Sequence, residues 1–286
     1  MSDIKKVVLL AAGYGTRFLP ATKAIPKEML PLVDKPVIQY LVEEAVDAGI
    51  KEIIFVTSKN KPAIKDHFDR GKELESFLEE RGKEHTAQMM MHISSLASFS
   101  YVRQKEQLGT AHAVLEAVPF VGGDPFAVMS GDDIIEPSVL SGLVKVYSKY
   151  KAPVVCLMRV PKKEAFRYGV IDGREISPGV WKIRRAVEKP KIGEEPSNLA
   201  IVVKYILTPD FLPFLAHVKA INSEFHIPPA IDAYIRNGHN FYGYEAKGKW
   251  YDCGSKLGYM KGVVHFGLTH PEIGKEFKRY LQSISL

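Results

Sequence analysis

Cysteine, tryptophan and long apolar runs are scarce in this sequence. Its 286 residues include two cysteines and two tryptophans. Cys156 and Cys253 are too few for a disulfide framework, which predicts a reducing, cytoplasmic environment. No apolar run approaches the ~20 residues of a membrane span. The chain reaches its first predicted strand at Val7, which leaves no room for a secretory signal peptide, so we expect no association with a membrane.

Basic residues only modestly outnumber acidic residues. The chain has 39 Lys and Arg against 33 Asp and Glu, a net charge of +6. The basic residues are scattered and lack the aromatic interleaving or basic helical stripe of nucleic-acid-binding proteins, so we expect no nucleic acid partner. A positive field instead favours small anionic substrates, because it raises their local concentration. With 46% hydrophobic residues, the chain can bury a sizeable core.

The N-terminal segment combines a strand, two glycines and two cations. Residues 7–10 are a short apolar run that predicts a buried strand. Gly13 and Gly15 permit positive φ and let backbone N–H groups approach a ligand closely. Arg17 and Lys27 place positive charge near the same loop. This combination is typical of a polyphosphate-binding loop.

Two known phosphate-binding motifs do not fit this loop. A Walker A loop has Lys and then Ser or Thr directly after its last glycine, whereas Thr16 and Arg17 follow Gly15. A dinucleotide-binding fingerprint has a third glycine at the position that Phe18 occupies here. Taken alone, the glycine pair is also compatible with an ordinary tight turn.

Alternating strand and helix patterns predict an α/β fold. A helix is predicted to begin after Pro36 and to end near Gly49, and Glu52–Thr57 is the next strand. Such a unit has parallel strands, and parallel sheets bind ligands at the carboxyl ends of their strands, where the glycine loop lies. Beyond residue 151, glycines, prolines and short alternating runs predict antiparallel strands.

Two adjacent carboxylates follow a predicted buried strand at residues 126–129. Asp132 and Asp133 would lie at the carboxyl end of that strand, beside the glycine loop. Mg²⁺ takes one or two protein carboxylates and completes its octahedron with phosphate oxygens and water, so this position suits it. An Asp-rich turn without a metal is the alternative that the residues alone leave open.

The N-terminal motif also resembles a known family signature. Gly13-x-Gly15-Thr16-Arg17, with Lys27 ten positions later, resembles the motif of the sugar-nucleotide pyrophosphorylases. Residues 20–36 are similar to one branch of that family, the bacterial UTP–glucose-1-phosphate uridylyltransferases. The resemblance continues along most of the chain.

The resemblance implies a Rossmann-like three-layer α/β/α nucleotidyltransferase fold. Its central sheet would be mixed and mainly parallel, with a smaller antiparallel region on the sugar side. The chain would form a single domain, 1–286, in which 1–150 mainly bind the nucleotide and 151–254 the sugar phosphate, while 255–286 form C-terminal helices. We also expect a homo-oligomer, either a dimer or a tetramer.

The implied reaction joins UTP and glucose 1-phosphate to give UDP-glucose and pyrophosphate, with Mg²⁺ as cofactor. Glu28 beside Lys27 favours UTP, because thymidylyltransferase relatives tend to carry Gln there. Two alternatives stay open. One is a nucleotidyltransferase for dTTP or galactose 1-phosphate, and the other is a non-catalytic sensor of sugar nucleotides.

The resemblance assigns roles residue by residue. The catalytic cations are Arg17, Lys27 and Lys189. The nucleotide-binding residues are Ala11, Ala12, Gly13, Gly15, Thr16, Glu28, Gln104 and Gly109. The sugar-phosphate-binding residues are Asp133, Gly169, Glu188, Lys189 and Lys204. The metal ligands are Asp132 and Asp252.

Some assigned positions carry a specific expectation or an alternative. The Gln104 amide offers both a donor and an acceptor, as the uracil imide requires. Gly109 would let the backbone approach the base, and Thr110 is predicted to cap the helix that follows. Asp252 could instead cap the helix from Ser255.

Two regions depart from the family pattern. Lys204 lies where the family usually has Arg, so a bidentate phosphate contact would be lost. Residues 223–231 keep few of the family's residues, which puts sugar positioning in question. His226 in that segment is interpreted as a loop residue, because the reaction needs no general base.

Overall fold

A nine-stranded mixed sheet forms the centre of the protein in a computed structural model that describes residues 4–284. Two ribbons of two strands each lie outside this sheet: Pro31–Leu32 with Lys35–Pro36, and Asp133–Glu136 with Lys249–Asp252. The strands are β1 Lys6–Leu10, β2 Pro31–Leu32, β3 Lys35–Pro36, β4 Glu52–Thr57, β5 Ser98–Arg103, β6 Phe126–Ser130, β7 Asp133–Glu136, β8 Val154–Arg159, β9 Gly169–Ser177, β10 Val180–Glu188, β11 Leu199–Leu207, β12 Tyr242–Glu245 and β13 Lys249–Asp252.

Ten α-helices connect and cover these strands within the described residues. They are α1 Val37–Asp47, α2 Pro62–Phe68, α3 Lys72–Glu80, α4 Glu84–Ser95, α5 Thr110–Val121, α6 Leu140–Tyr150, α7 Leu212–Ala216, α8 Ile227–Arg236, α9 Lys256–Thr269 and α10 Gly274–Ser283. Over residues 4–284, none of the helices is both long and apolar enough to span a bilayer.

The strand order of the central sheet is β5-β4-β1-β6-β11-β8-β12-β10-β9. The first four strands pair in parallel, as do β12 and β8, while the other neighbours are antiparallel. The predicted mixed sheet is confirmed, but its antiparallel share is larger than expected. The reason is that β9 and β10 form a hairpin and β11 runs opposite to both of its neighbours. These antiparallel strands continue the central sheet.

Two apolar cores lie on opposite faces of this sheet. Alternation along β1 directs Val7 and Leu9 into one core and Val8 into the other. The first core packs on α1 and α6, with Leu41 and Leu143 among its members, while the second packs on α5, α7 and α8. Burial on both faces explains why β1 is a continuous apolar run. The three-layer α/β/α architecture is confirmed.

Two strand pairings build the candidate site. The parallel pairing of β1 with β6 places Leu10 opposite Ser130, so the glycine loop after β1 lies beside the Asp132 turn after β6. The antiparallel pairing of β7 with β13 places Asp133 opposite Asp252. Acidic residues that are far apart in sequence therefore meet at one edge of the sheet.

Neither the cap predicted for α5 nor the alternative of a cap at Asp252 is observed. At the start of α5 the cap position is Gly109, and Thr110 is already the first helical residue. At the start of α9 the cap is Ser255, whose hydroxyl accepts a hydrogen bond from the Gly258 N–H at 3.1 Å. Asp252 is therefore not the cap of α9; its Oδ1 accepts a hydrogen bond from the Gly254 N–H at 3.0 Å.

Candidate active site

A cavity of about 670 Å³ lies at the carboxyl ends of β1 and β6. Charged side chains from the loops after β1, β6, β10 and β13 line it. The predicted site residues that it brings together are Arg17, Lys27, Asp132, Asp133, Gly169, Glu188, Lys189 and Asp252. Cations and carboxylates thus face one space, as polyphosphate chemistry with a metal requires.

A second cavity of about 230 Å³ adjoins the first. Ala12 and Gly13 line it, together with Gln104 and Gly109 from the opposite wall. Lys27 lines both cavities, so its ammonium lies at their junction. The two cavities are therefore adjoining spaces that share a cationic side chain.

Lys27 and Asp132 form an ion pair at this junction. The Ser130 hydroxyl donates a hydrogen bond to the other carboxylate oxygen of Asp132. Burial alone would lower the pKa of Lys27, but attraction to Asp132 and Glu28 outweighs it, and the pKa is raised. Burial likewise opposes ionisation of Asp132, yet Lys27 holds the pKa of Asp132 below its ordinary value. Both groups are therefore charged at neutral pH.

Asp133 has a different electrostatic environment. The Trp250 indole N–H donates to Asp133 Oδ1 at 2.7 Å. Burial, together with the negative charges of Asp132 and Asp252, raises the pKa of Asp133 to about 7. A cation added beside Asp133 would favour its ionised form.

The Asp132 and Asp252 carboxylates fit a divalent cation that prefers hard oxygen ligands. Both crowd the same side of Gly254: a Cβ added there would lie 3.1 Å from Asp252 Oδ1 and would also clash with Asp132. In the part of the chain that the structure describes, no three His, Cys, Asp or Glu side chains are arranged to hold a metal. A cation here would therefore take most of its ligands from phosphate and water, as Mg²⁺ does.

The other two predicted cations lie at the wall of the larger cavity. Arg17 Nη1 donates to the Gly254 carbonyl oxygen at 3.4 Å. Lys189 Nζ lies 3.7 Å from Glu188 Oε1, and its side chain is 57% exposed. Arg17 and Lys189 are both exposed, so each can meet a phosphate that enters.

Gln104 lies inside the smaller cavity and is 4% exposed. Its Nε2 donates to the Gly109 carbonyl oxygen at 3.3 Å and lies 3.0 Å from His112 Nδ1. Gly109 has φ +96°, and a Cβ there would collide with the Phe225 backbone at 2.6 Å. Packing against Phe225, in addition to the expected proximity to a base, therefore requires glycine at this position.

Four predicted nucleotide-binding residues line neither cavity: Ala11, Gly15, Thr16 and Glu28. The Ala11 N–H donates to the Val56 carbonyl oxygen at 2.8 Å, so the amide of Ala11 is already used. Gly15 adopts the left-handed conformation with φ 67°, and its carbonyl oxygen accepts from the Thr22 hydroxyl at 2.7 Å. Thr16 begins the short 3₁₀ turn that carries Arg17. Gly15 and Thr16 shape the loop around Lys27.

The prediction that Glu28 contacts the nucleotide is wrong for this conformation. Glu28 is fully buried behind the glycine loop. Lys61 Nζ donates to both of its carboxylate oxygens, at 2.9 and 2.7 Å. Burial raises the pKa of Glu28 and lowers that of Lys61, while attraction between the two charges opposes both shifts.

The prediction that Lys204 contacts the sugar phosphate is also wrong. Val203 lines the larger cavity, and the next side chain of β11 points to the opposite face of the sheet. There Lys204 is fully buried and pairs with Glu44 of α1. The other Glu44 oxygen accepts the Val139 and Leu140 N–H groups, each at 3.1 Å, at the start of α6.

Replacing Lys204 should therefore affect stability more than catalysis. In Lys204→Met, Glu44 is left as a buried charge without its cation, which is expected to lower the free energy of unfolding by about 3–5 kcal/mol. Urea unfolding followed by circular dichroism measures this loss. The double variant Glu44→Gln/Lys204→Met should recover most of it. Unchanged stability together with a raised KM for the sugar phosphate would instead support the predicted contact between Lys204 and that phosphate.

The structure adds site residues that sequence reasoning did not assign. His226 and Glu224 line the larger cavity, as do Tyr168 and Trp250. His226 Nδ1 lies 3.7 Å from Glu188 Oε1, and its Nε2 lies 3.6 Å from Glu224 Oε2. One feature of the sequence could have indicated them: residues 223–231 depart from the family pattern, and this segment contributes to the wall of the larger cavity.

Similarity to known proteins accords with this geometry. The Nucleotidyl transferase family profile matches residues 6–265. The UTP–glucose-1-phosphate uridylyltransferase of Staphylococcus epidermidis is 44% identical over 289 residues, covering 100% of both chains. A UTP-bound UGPase from Acinetobacter baumannii has a TM-score of 0.92 at 39% identity, covering 99% of this chain and 100% of that one.

A further solved structure carries a different ligand. A UDP-glucose pyrophosphorylase complexed with UDP-glucose has a TM-score of 0.84 at 42% identity, covering 92% of this chain and 98% of that one. The sequence profile and the solved structures thus agree over nearly the whole chain. On this evidence, the chain belongs to the nucleotidyl transferase family.

Proposed function

We propose that this protein is a UTP–glucose-1-phosphate uridylyltransferase, which makes UDP-glucose and pyrophosphate. The observation that carries the proposal is Lys27, which faces both cavities and pairs with Asp132. Relatives that cover the chain completely carry this name, and similar structures hold UTP or UDP-glucose. The smaller cavity would take the uridine and the larger one the glucose 1-phosphate.

The chemistry is one of charge neutralisation and alignment. An oxygen of the sugar phosphate, already ionised at neutral pH, attacks the α-phosphorus of UTP, and the bond to the pyrophosphate oxygen breaks. No general base is needed. The obstacle is repulsion between the two anions, which Arg17, Lys27 and Lys189 reduce by lining one wall. Holding the reactants in line can contribute about 7–11 kcal/mol to the lowering of the barrier.

Asp132 and Asp252 would hold Mg²⁺ in this site. When bound, the ion supplies positive charge to phosphate oxygens. The residues of the chain do the rest: Lys27 keeps Asp132 ionised, and Ser130 orients the same carboxylate through its second oxygen. Trp250 fixes Asp133 at the edge of the sugar compartment.

Substrate selection would come from both cavities. The buried Gln104 amide lines the compartment assigned to the base; its Nε2 is engaged with Gly109 and His112, so its carbonyl oxygen is the group that would accept from the uracil N3–H. Glu188 and His226 face the sugar compartment, where carboxylate and imidazole groups can accept or donate hydrogen bonds to hydroxyls. Ala12 and Gly13 leave room for a ribose beside the loop.

A substrate panel tests this function. Pyrophosphate release is measured with UTP or dTTP and with the 1-phosphates of glucose or galactose, in the presence of Mg²⁺. We expect UTP with glucose 1-phosphate to give the highest kcat/KM. A higher value for another pair would select the alternative nucleotidyltransferase, and tight UDP-glucose binding without turnover would select the sensor.

The proposal extends to assembly and location. Leu257, Met260 and Leu268 of α9 are exposed and border an apolar groove of about 520 Å³. Such a patch favours a homo-oligomer, either a dimer or a tetramer, through α9. A monomer mass by light scattering would contradict it.

Two buried free cysteines favour a reducing cytoplasm, which localisation of a tagged full chain would test.

A further inference from the structure

The buried ion pair between Glu28 and Lys61 has no part in the chemistry described above. Lys61 lies at the cap position before α2 and contributes to neither cavity. It is 7% exposed, and Glu28 is 0% exposed. Isolated buried charges are costly, and even paired ones are weak contributors to stability. Their presence directly behind the active site therefore calls for a functional explanation.

The position of Glu28 links this pair to the catalytic lysine. Glu28 follows Lys27 in the chain, and both lie in one short 3₁₀ turn. Its side chain packs on Gly131: a Cβ added there would lie 3.1 Å from Glu28 Cγ. Gly131 directly precedes Asp132. The Glu28 carboxylate thus lies behind the Lys27–Asp132 pair.

Two carboxylates therefore compete for the Lys27 ammonium. Lys27 pairs with Asp132 on one side, and Glu28 follows Lys27 in the same 3₁₀ turn on the other. With Lys61 present, both Glu28 oxygens are occupied by its ammonium, and Lys27 is left to Asp132 and the cavity.

We propose that Lys61 is a positioning residue for catalysis: it occupies Glu28 so that the Lys27 ammonium faces the reacting phosphates. The inference rests on the proposed role of Lys27 in nucleotidyl transfer. Without Lys61, the buried Glu28 carboxylate draws Lys27 away from the cavity. A displacement of about 1 Å in a catalytic group can lower turnover by about 100-fold.

The test measures kcat and KM of Lys61→Met and of matched variants. All measurements are made well below the unfolding temperature of each variant. We expect kcat to fall by about 10- to 100-fold. The double variant Glu28→Gln/Lys61→Met removes the competing charge and should return kcat to within about threefold of the unsubstituted protein. Lys65→Met, an exposed lysine of α2 paired with Asp69, should leave kcat unchanged.

The outcomes separate this inference from the proposed function. An unsubstituted protein without turnover would overturn the proposed function itself. An active protein whose Lys61→Met variant keeps full kcat would overturn only the role of Lys61. A double variant as slow as the single one would also overturn it, because loss of packing would then explain the defect. If Lys61→Met does not fold, Lys61→Gln should show a smaller loss of kcat, and full activity would contradict the inference.

Discussion

Turnover of the Lys27→Ala variant is expected to fall by about 100-fold or more, because one fixed donor to a developing phosphate charge is removed. Lys27 faces both cavities and is held there by Asp132. The free energy of unfolding should change by less than about 2 kcal/mol, since the pair borders a cavity that water can enter. Pyrophosphate release at saturating substrates and urea unfolding measure the two effects.

An exposed lysine provides the control for this prediction. Lys51 lies just before β4, at the end of the sheet opposite the site, and its side chain is exposed. Lys51→Ala should retain full turnover. Full turnover in Lys27→Ala would show that the assigned role is wrong. A large loss of stability in that variant would instead make Lys27 a structural residue.

Removal of the metal or of its proposed ligand should have an effect of similar size. EDTA is expected to abolish turnover, and added Mg²⁺ should restore it. Asp132→Asn keeps the size of the side chain but removes a ligand charge and the partner of Lys27. Its turnover should fall by about 100-fold or more, and the Mg²⁺ needed for half-maximal activity should rise.

Variants of two other aspartates, Asp252 and Asp172, test whether the effect is specific to the proposed metal site. Asp252→Asn should raise the Mg²⁺ requirement with a smaller loss of turnover, because Asp252 does not pair with Lys27. Asp172 of β9 pairs with Arg184 outside the site, so Asp172→Asn should behave as the unsubstituted protein. Turnover that persists in EDTA, with full activity in Asp132→Asn, would exclude the proposed metal site.

Local pattern was sufficient for much of the fold. The apolar run of β1, the helix after Pro36 and the strand Glu52–Thr57 all occur as predicted, because burial and hydrogen bonding within such units follow short-range sequence periodicity. Parallel pairing of β1 with β6 then brings the glycine loop beside Asp132. Helix caps were less predictable, since Gly109 and Ser255 take positions that packing selects.

The direction of charged side chains was not predictable from local pattern. Lys204 and Glu44 are 160 positions apart, and their pairing depends on how α1 packs on β11. Glu28 lies next to a cavity-lining lysine, yet it points inward because Lys61 meets it there. His226 reaches the larger cavity only because its segment packs beside Glu188.

The sequence by itself determined the α/β class, the glycine loop and the acidic turn after β6, because each depends on residues close together in the chain. The tertiary structure decided which charges face the cavities and which are buried in pairs. That choice is a balance between desolvation and attraction to a partner, and the partner is set by packing between elements distant in sequence.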